Sequence, residues 1–364
     1  MRIAEPSHPG SGLPADFNAN VDAPLPPEMP PEVHAGFSLA QLLERSVKVL
    51  NRNLENMLKC QAGVPRELQG SPAEILAQYF SSTEFAEQIH AKRIRSLMWT
   101  HQMRQTGMVF NLCLDTLPME QRQPLYDEQD RILDEHRRMS VPDEIADEFD
   151  VRVNSSVEFF DKLIDLIDLI KNGYLGGYEY IMRAYSDFFV DFNKLITARL
   201  KDWVVGEDQG KGVWLYNGPL RTELNELIKK YSHPNPASVL FPEPGKEGVS
   251  KAEAEKWRDA LGLPDACLKL NSDGSYCVVI DTGPLWTMRD SLPPGAGDDS
   301  VCFDNARFQA WQTGFNAQEE RMKNTLQSFT QKYSNANSYH DNFSKTLSSH
   351  LNQFFDMLKA MLNF

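Results

Sequence analysis

The sequence predicts a mainly α-helical protein: a long antiparallel intramolecular coiled coil, with an N-terminal helical hairpin and an inserted small mixed α/β domain. Three observations carry this. Near the C-terminus Phe308, Trp311, Phe315, Met322, Leu326, Phe329, Tyr333, Ala336, Phe343, Leu347, Leu351, Phe354, Leu358 and Met361 recur mostly three or four residues apart, with no proline among them. That spacing is the seam of one amphipathic helix. Earlier, Val157, Phe160, Ile164, Ile167, Tyr174, Tyr178, Ile181, Tyr185, Phe188, Phe192 and Leu195 repeat in the same way. Between the two, residues 206–302 lose the period and show short strand candidates.

A helix running from Asp304, whose carboxylate can cap the first turn, to the chain end would be roughly 85 Å long. It cannot bury its stripe against itself. Residues 155–203 supply a partner for residues 304–362, and antiparallel pairing gives a coil of about 65–70 Å with the insertion at one end. Its seam would include Tyr178, Tyr185, Phe188 and Phe192 from the first helix and Phe308, Trp311, Phe315, Phe329 and Tyr333 from the second.

Taken in order, residues 1–35 are rich in proline, end in Pro24-Leu25-Pro26-Pro27-Glu28-Met29-Pro30-Pro31 and have no apolar period. Such a segment should be disordered, either a passive tail or an unfolded export address. Residues 36–140 read as a helical hairpin with extra turns. Ser38 and Gln41 stand at capping-box spacing before Leu42, Leu43, Val47, Leu50, Leu54 and Leu58, and Gly63 and Pro65 end that helix. Ser71-Pro72-Ala73-Glu74 opens a short helix to about Phe80. Thr83 then caps a longer one to about Leu114, with Phe85, Ile89, Leu97, Met98 and Met108 as its apolar side. Arg122 to Arg138 reads as a solvated, loosely packed helix. Val141-Pro142-Asp143 breaks the pattern, and Ser155 to Glu158 forms a third capping box that opens the first coil helix.

Gly173, Gly176 and Gly177 interrupt that helix at roughly 1 kcal/mol each relative to alanine. With Trp203 near Asp304, antiparallel pairing brings Gly176 and Gly177 close to Tyr333, where they would make room for a large side chain or permit a bulge. A simple break between two helices is the alternative. In the insert, residues 213–216, 238–241, 268–270 and 276–280 are strand candidates. Residues 219–231, 250–261 and 284–292 are helix candidates, the second opened by Ser250 and Glu253 and closed by Gly262.

Length and charge bound the function. A chain of 364 residues exceeds a single core, so two or three structural units are expected. The balance of 37 basic and 51 acidic residues, net −14, argues against nucleic acid or an anionic membrane as the main partner. Cys60, Cys113, Cys267, Cys277 and Cys302 are odd in number and scattered, hence free thiols. A turn centred on Asp273-Gly274 would set Cys277 opposite Leu270, leaving Cys267 out of register for a bridge. No secretory signal peptide or membrane span is expected.

Catalytic patterns are absent from the sequence. The eight histidines show no metal-ligand spacing, and His340, at a seam position, reads as a hydrogen-bonded core histidine. No phosphate-cradling glycine loop or nucleophile elbow appears. Asp161, Asp165 and Asp168 are the polar face of a helix whose other side is Leu163, Ile164, Ile167 and Ile170. The expectation is a protein without enzyme activity, cofactor or metal.

The run Asp304-Asn305-Ala306-Arg307-Phe308-Gln309-Ala310-Trp311-Gln312-Thr313-Gly314-Phe315 and its continuation through Tyr333-Ser334-Asn335-Ala336-Asn337-Ser338 resemble the C-terminal helix of the needle-tip proteins of type III secretion systems, the IpaD, SipD and BipD group. Tyr174-Leu175-Gly176, Tyr185-Ser186-Asp187-Phe188, Val239-Leu240-Phe241-Pro242 and Leu263-Pro264 are similar to the family's first coil helix and insert. The resemblance covers roughly residues 155–345. The first 150 residues match only in style, and Phe354 and Phe355 depart from the pattern.

The resemblance implies a secreted protein, held in a cytoplasmic pool before export. It would form a ring, usually described as a pentamer, at the needle tip on the bacterial surface. There it would control effector secretion and carry the membrane-inserting translocator proteins during host-cell invasion. The hairpin would act as a self-chaperone, lying on the coil until the needle subunit replaces it, and some members also bind bile salts. Needle contact by the coil end bearing the C-terminus would involve Phe343, Leu347, Leu351, Phe354 and Phe355; packing on the first coil helix is the competing role for Phe343 and Leu347. Two rivals stand outside the resemblance: a cytosolic helical scaffold or export chaperone, and an enzyme with its site in residues 206–302, which no motif supports.

Overall fold

In the structure, a computed structural model, residues 37–59, 71–207, 212–294 and 300–362 are described. The expected disordered start, the stop at Gly63 and Pro65, and Cys60 lie outside these residues. Four helices come first: α1 (Leu39–Leu58), α2 (Pro72–Phe80), α3 (Thr83–Asp115) and α4 (Met119–Arg137), followed by the short α5 (Ala146–Val153). Ser38 with Gln41 and Ser71 with Glu74 form the two expected capping boxes, each side chain satisfying the other residue's free backbone N–H. The cap of α3 is Ser82 rather than Thr83, its hydroxyl accepting from the Phe85 N–H.

Two expectations about this region are overturned. On α3 the buried face holds Trp99, Met103, Val109 and Phe110, whereas Leu97 and Met98 face solvent. The helix is apolar around much of its circumference, so its periodicity does not single out the buried stripe. The charged α4 is also no loosely packed, solvated helix. Leu125, Ile132, Leu133 and His136 are buried, giving it a continuous inner face at helical spacing.

The first coil helix runs continuously through α6 (Phe159–Asp168), a π-helical stretch at Leu169–Leu175, α7 (Gly176–Phe192) and a second π-helical turn at Asn193–Thr197. It starts at Phe159, with Glu158 as a cap that makes no side-chain bond, so the third capping box does not form. A 3₁₀ turn at Leu200–Asp202 ends it before Trp203. The glycines thus accompany a bulge and not a break, since Gly176 keeps helical angles. The partner they admit is Trp257, not Tyr333. A Cβ on Gly177 would lie 2.7 Å from the Trp257 ring.

The insert comprises β1 (Val204–Gly206), β2 (Gly212–Leu215), α8 (Asn217–Lys230), β3 (Val239–Phe241), α9 (Lys251–Leu261), β4 (Leu268–Leu270), β5 (Tyr276–Val279), α10 (Gly283–Asp290) and β6 (Val301–Asp304). β1 and β6 were not anticipated; at three and four residues they are too short to stand out. The antiparallel sheet β1-β2-β6 ties the coil end together, and β3-β5-β4 forms a second sheet. Cys277 pairs with Lys269, one residue off the expected register, because Leu270 faces Tyr276 across the turn. Cys113, Cys267, Cys277 and Cys302 are all unpaired thiols.

The second coil helix is α11 (Asn305–Leu362), capped by the Asp304 carboxylate, which accepts from the Arg307 N–H at 2.8 Å. At 1.5 Å per residue it is about 87 Å long. Tyr185 donates to the Met322 carbonyl at 3.2 Å, Tyr174 stacks edge-on with Tyr339, and Phe159 meets Phe354. Partner numbers fall as the first helix ascends, which is the antiparallel coil. The insert does not stand only at its end. Tyr180 donates to the Val239 carbonyl, and Trp257 lies against Tyr178, so β3 and α9 flank the start of α7, well inside the coil.

Candidate docking surface on the C-terminal helix

The C-terminal half of α11 presents an apolar stripe at helical spacing, and the N-terminal helices cover it. Phe343, Leu347, Leu351, Phe354 and Phe355 are all buried, so the stripe is not exposed in this conformation. Phe354 lies 4.5 Å from Phe110 of α3 and 5.6 Å from Phe159 of α6 between ring centroids. Phe355 packs near Phe110 and parallel to Phe160, and Phe343 meets His136 of α4 and Phe149 of α5 edge-on. Edge-on and offset rings of this kind contribute about 0.5–1.5 kcal/mol each beyond area burial. The stripe therefore touches both the first coil helix and the hairpin, and both roles foreseen for it are structurally open.

Polar bonds line the same contact. Asn51 of α1 donates to Asn352 at 2.8 Å and accepts from Ser348 at 3.1 Å, and Lys359 pairs with Glu44 at 2.8 Å. The Lys359 ammonium holds the Glu44 carboxyl below its usual range, but that pair is exposed and contributes little. Lys92 of α3 reaches Asn337, and His350 meets Glu135 of α4 at 3.2 Å. Sequence reasoning missed these partners, because which face of α1, α3 and α4 meets α11 is a tertiary fact.

Deeper still is a charged group at a seam position, four residues after Ile167 and three before Tyr174. Lys171, on the π-helical stretch, pairs with Glu179 at 3.0 and 3.1 Å, with both side chains almost wholly buried. Position 171 continues the four-three spacing of Phe160, Ile164 and Ile167, so the seam itself carries this lysine inward. His340 is buried as expected, its Nδ1 3.1 Å from an Asp341 oxygen. Burial pushes the His340 and His136 pKa values down, opposed by Asp341 and by the Ile132 carbonyl respectively.

The seam residues divide by partner. Tyr185 and Phe329 meet each other across the coil, Phe188 packs on Tyr185 and on Tyr231, which caps the end of α8, and Phe192 stacks on Phe189. Phe308, Trp311 and Phe315 form an aromatic run continued by Phe303 of β6. Two residues leave the seam. Tyr333 faces Phe80 and Phe85 of the hairpin, and Tyr178 donates to Glu144 at 2.6 Å while packing on Trp257.

No group of three or more His, Cys, Asp or Glu side chains able to hold a metal occurs among the described residues. Burial raises the Cys113 thiol to about 11 and Cys267 to about 12, which leaves both protonated and unreactive at neutral pH. No helix among the described residues is long and apolar enough to cross a membrane.

Comparison with known proteins agrees with this architecture. The chain is 40% identical over 211 residues to the cell invasion protein SipD of Salmonella typhi, covering 57% of this chain and 62% of that protein. It is 36% identical over 208 residues to the invasin IpaD of Shigella flexneri, covering 57% and 60%. The matched region thus spans less than two thirds of either relative. Among solved structures, the pathogenicity island 1 effector protein of Chromobacterium violaceum superposes with a TM-score of 0.57 at 27% identity, covering 87% of this chain and 97% of that one. A family model described as type III secretion systems tip complex components matches residues 104–362, more than two thirds of the sequence. The chain belongs to the family of type III secretion system tip complex components, a family of secretion-apparatus parts and not of enzymes.

Proposed function

We propose that this protein is the needle-tip component of a type III secretion system. It is exported by the system it completes, leaving a cytoplasmic pool, and assembles with copies of itself, as a pentamer, at the needle end on the bacterial surface. There it controls effector release and receives the membrane-inserting translocators. The needle subunit docks on Phe343, Leu347, Leu351, Phe354 and Phe355 after α1–α4 swing away. The observation that carries this is the covering of that aromatic stripe by helices of the N-terminal segment, whose own inner faces have the same amphipathic character.

Bile salts belong to the proposal as effectors, with a groove of about 300 Å³ between α3 and α6 as the candidate place, where Leu97, Ile164 and Ile167 lie among Arg93 and Arg104 and the opposing Asp165 and Asp168.

Surface labelling of intact, secreting bacteria with an antibody to this chain, with and without the needle subunit, tests the assignment. Focal signal at needle ends that vanishes without needles is the expected result. Retention inside the cell in both strains would instead favour a cytosolic scaffold or export chaperone.

A further inference from the structure

Two buried histidines sit in the contact between α11 and the N-terminal helices, and each has a buried ring nitrogen with no hydrogen-bond partner: Nε2 of His136 and Nε2 of His340. Around His340, α3 contributes Lys92, which reaches Asn337. The π-helical stretch contributes Lys171, α7 contributes Glu179 bound to Lys171, and α11 itself contributes Asp341. Two cations and two anions already stand there, so a neutral imidazole completes a balanced buried set and a proton would add an uncompensated charge. Such a charge is expensive at low dielectric.

His136 has the same problem on α4. Its Nδ1–H donates to the Ile132 carbonyl at 2.8 Å, which fixes a neutral tautomer. Across the contact α11 presents Phe343 and His350, their ring centroids 5.1 and 5.3 Å away, and α5 presents the apolar Phe149. The charged neighbours on α4 are already engaged: Glu135 with His350 and Arg131, and Glu128 with Arg131. No carboxylate is left to receive a charged His136.

We propose that this contact is an acid-labile latch: neutral His136 and His340 hold α3 and α4 on α11, and protonation of the two frees those helices while the α7–α11 coil around Tyr185 and Phe329 stays closed. His340 is itself a seam residue beside Lys171, but the seam farther along at Tyr185 and Phe329 contains no imidazole among its contacts, and that part of the coil holds. The sign follows from burial. Each imidazole is harder to protonate in the closed form than in the open one, so the latch is at full strength above the ordinary histidine pKa and weakens as pH falls below it. The proposal rests on the tip reading only for what opening would serve, namely uncovering the stripe.

Hydrogen exchange of the full chain, corrected for the intrinsic pH effect, tests it between about pH 7.5 and pH 5. Amides of α3 and α4 should open faster relative to those of α7 by up to about tenfold per pH unit for each proton taken up on opening. The H136Q/H340Q variant should lose that dependence. A constant ratio in the wild-type chain, or the same slope in the variant, would overturn the latch. If the variant does not fold at neutral pH, histidine C2-proton NMR of the wild-type chain decides: both rings must stay neutral until α3 and α4 open, and ordinary titration of either in the closed form would refute the proposal. No needle is present, so a negative result here and a failure of needle docking are separate outcomes.

Discussion

Gly177 and Gly314 are both helical glycines in the coil, and their surroundings predict opposite responses to the same substitution. At Gly177 an added methyl meets the Trp257 ring, which is wedged between Phe241, stacked at 4.3 Å, and Tyr178. Gly177→Ala should lower stability by about 1–3 kcal/mol despite the gain in helix propensity. Gly314 has nothing within 4 Å of its would-be Cβ and is exposed. Gly314→Ala should raise stability by up to about 1 kcal/mol. Urea midpoints of the two variants check the pair. Lys171 supplies a third case. Lys171→Met strands a buried Glu179 carboxylate and should cost about 3–5 kcal/mol, whereas Lys171→Met combined with Glu179→Leu should recover most of the loss, as a double-mutant cycle will report. Residue-level legibility was uneven for a physical reason. His340 could be placed in the core from its seam position; Lys171 stands at a seam position too, but its charge argued against burial because its partner Glu179 is set by the tertiary fold.

Among the elements, α11 was readable almost to the residue because one period persists over 58 residues and Asp304 caps it. The capping boxes of α1 and α2 were equally legible, being local chemistry. What escaped depended on distant partners. The buried face of α3 is chosen by α1, α6 and α11 together, and the strands β1 and β6 exist because β2 pairs with both. The five residues proposed for needle contact were identifiable as a stripe, and the resemblance implied a hairpin lying on the coil, but not that Phe110, His136 and Phe149 are what cover them. Phe354 tests how strongly that cover is held. Its ring is fully buried between Phe110 and Phe159, and Phe354→Ala should destabilise the chain by about 3–5 kcal/mol. Chemical denaturation followed by far-UV circular dichroism will show it, with hydrogen exchange placing the earliest loss in α3.

For the whole molecule, the central claim is that the N-terminal helices and the needle compete for one face of α11. The polar bonds on that face are few and mostly partly exposed, so the helices can leave without breaking the coil beneath them. Asn51 of α1 and Asn352 of α11 touch at 2.8 Å across the contact, which gives the decisive measurement. A chain carrying Asn51→Cys and Asn352→Cys, bridged by oxidation or by a short bis-thiol reagent, is added to purified needles alongside its reduced form and an equally treated wild-type control. The account predicts that the bridged chain fails to cap needles and that reduction or omission of the bridge restores capping. Equal capping by the bridged chain would contradict it, because α11 would then meet the needle with its cover still in place.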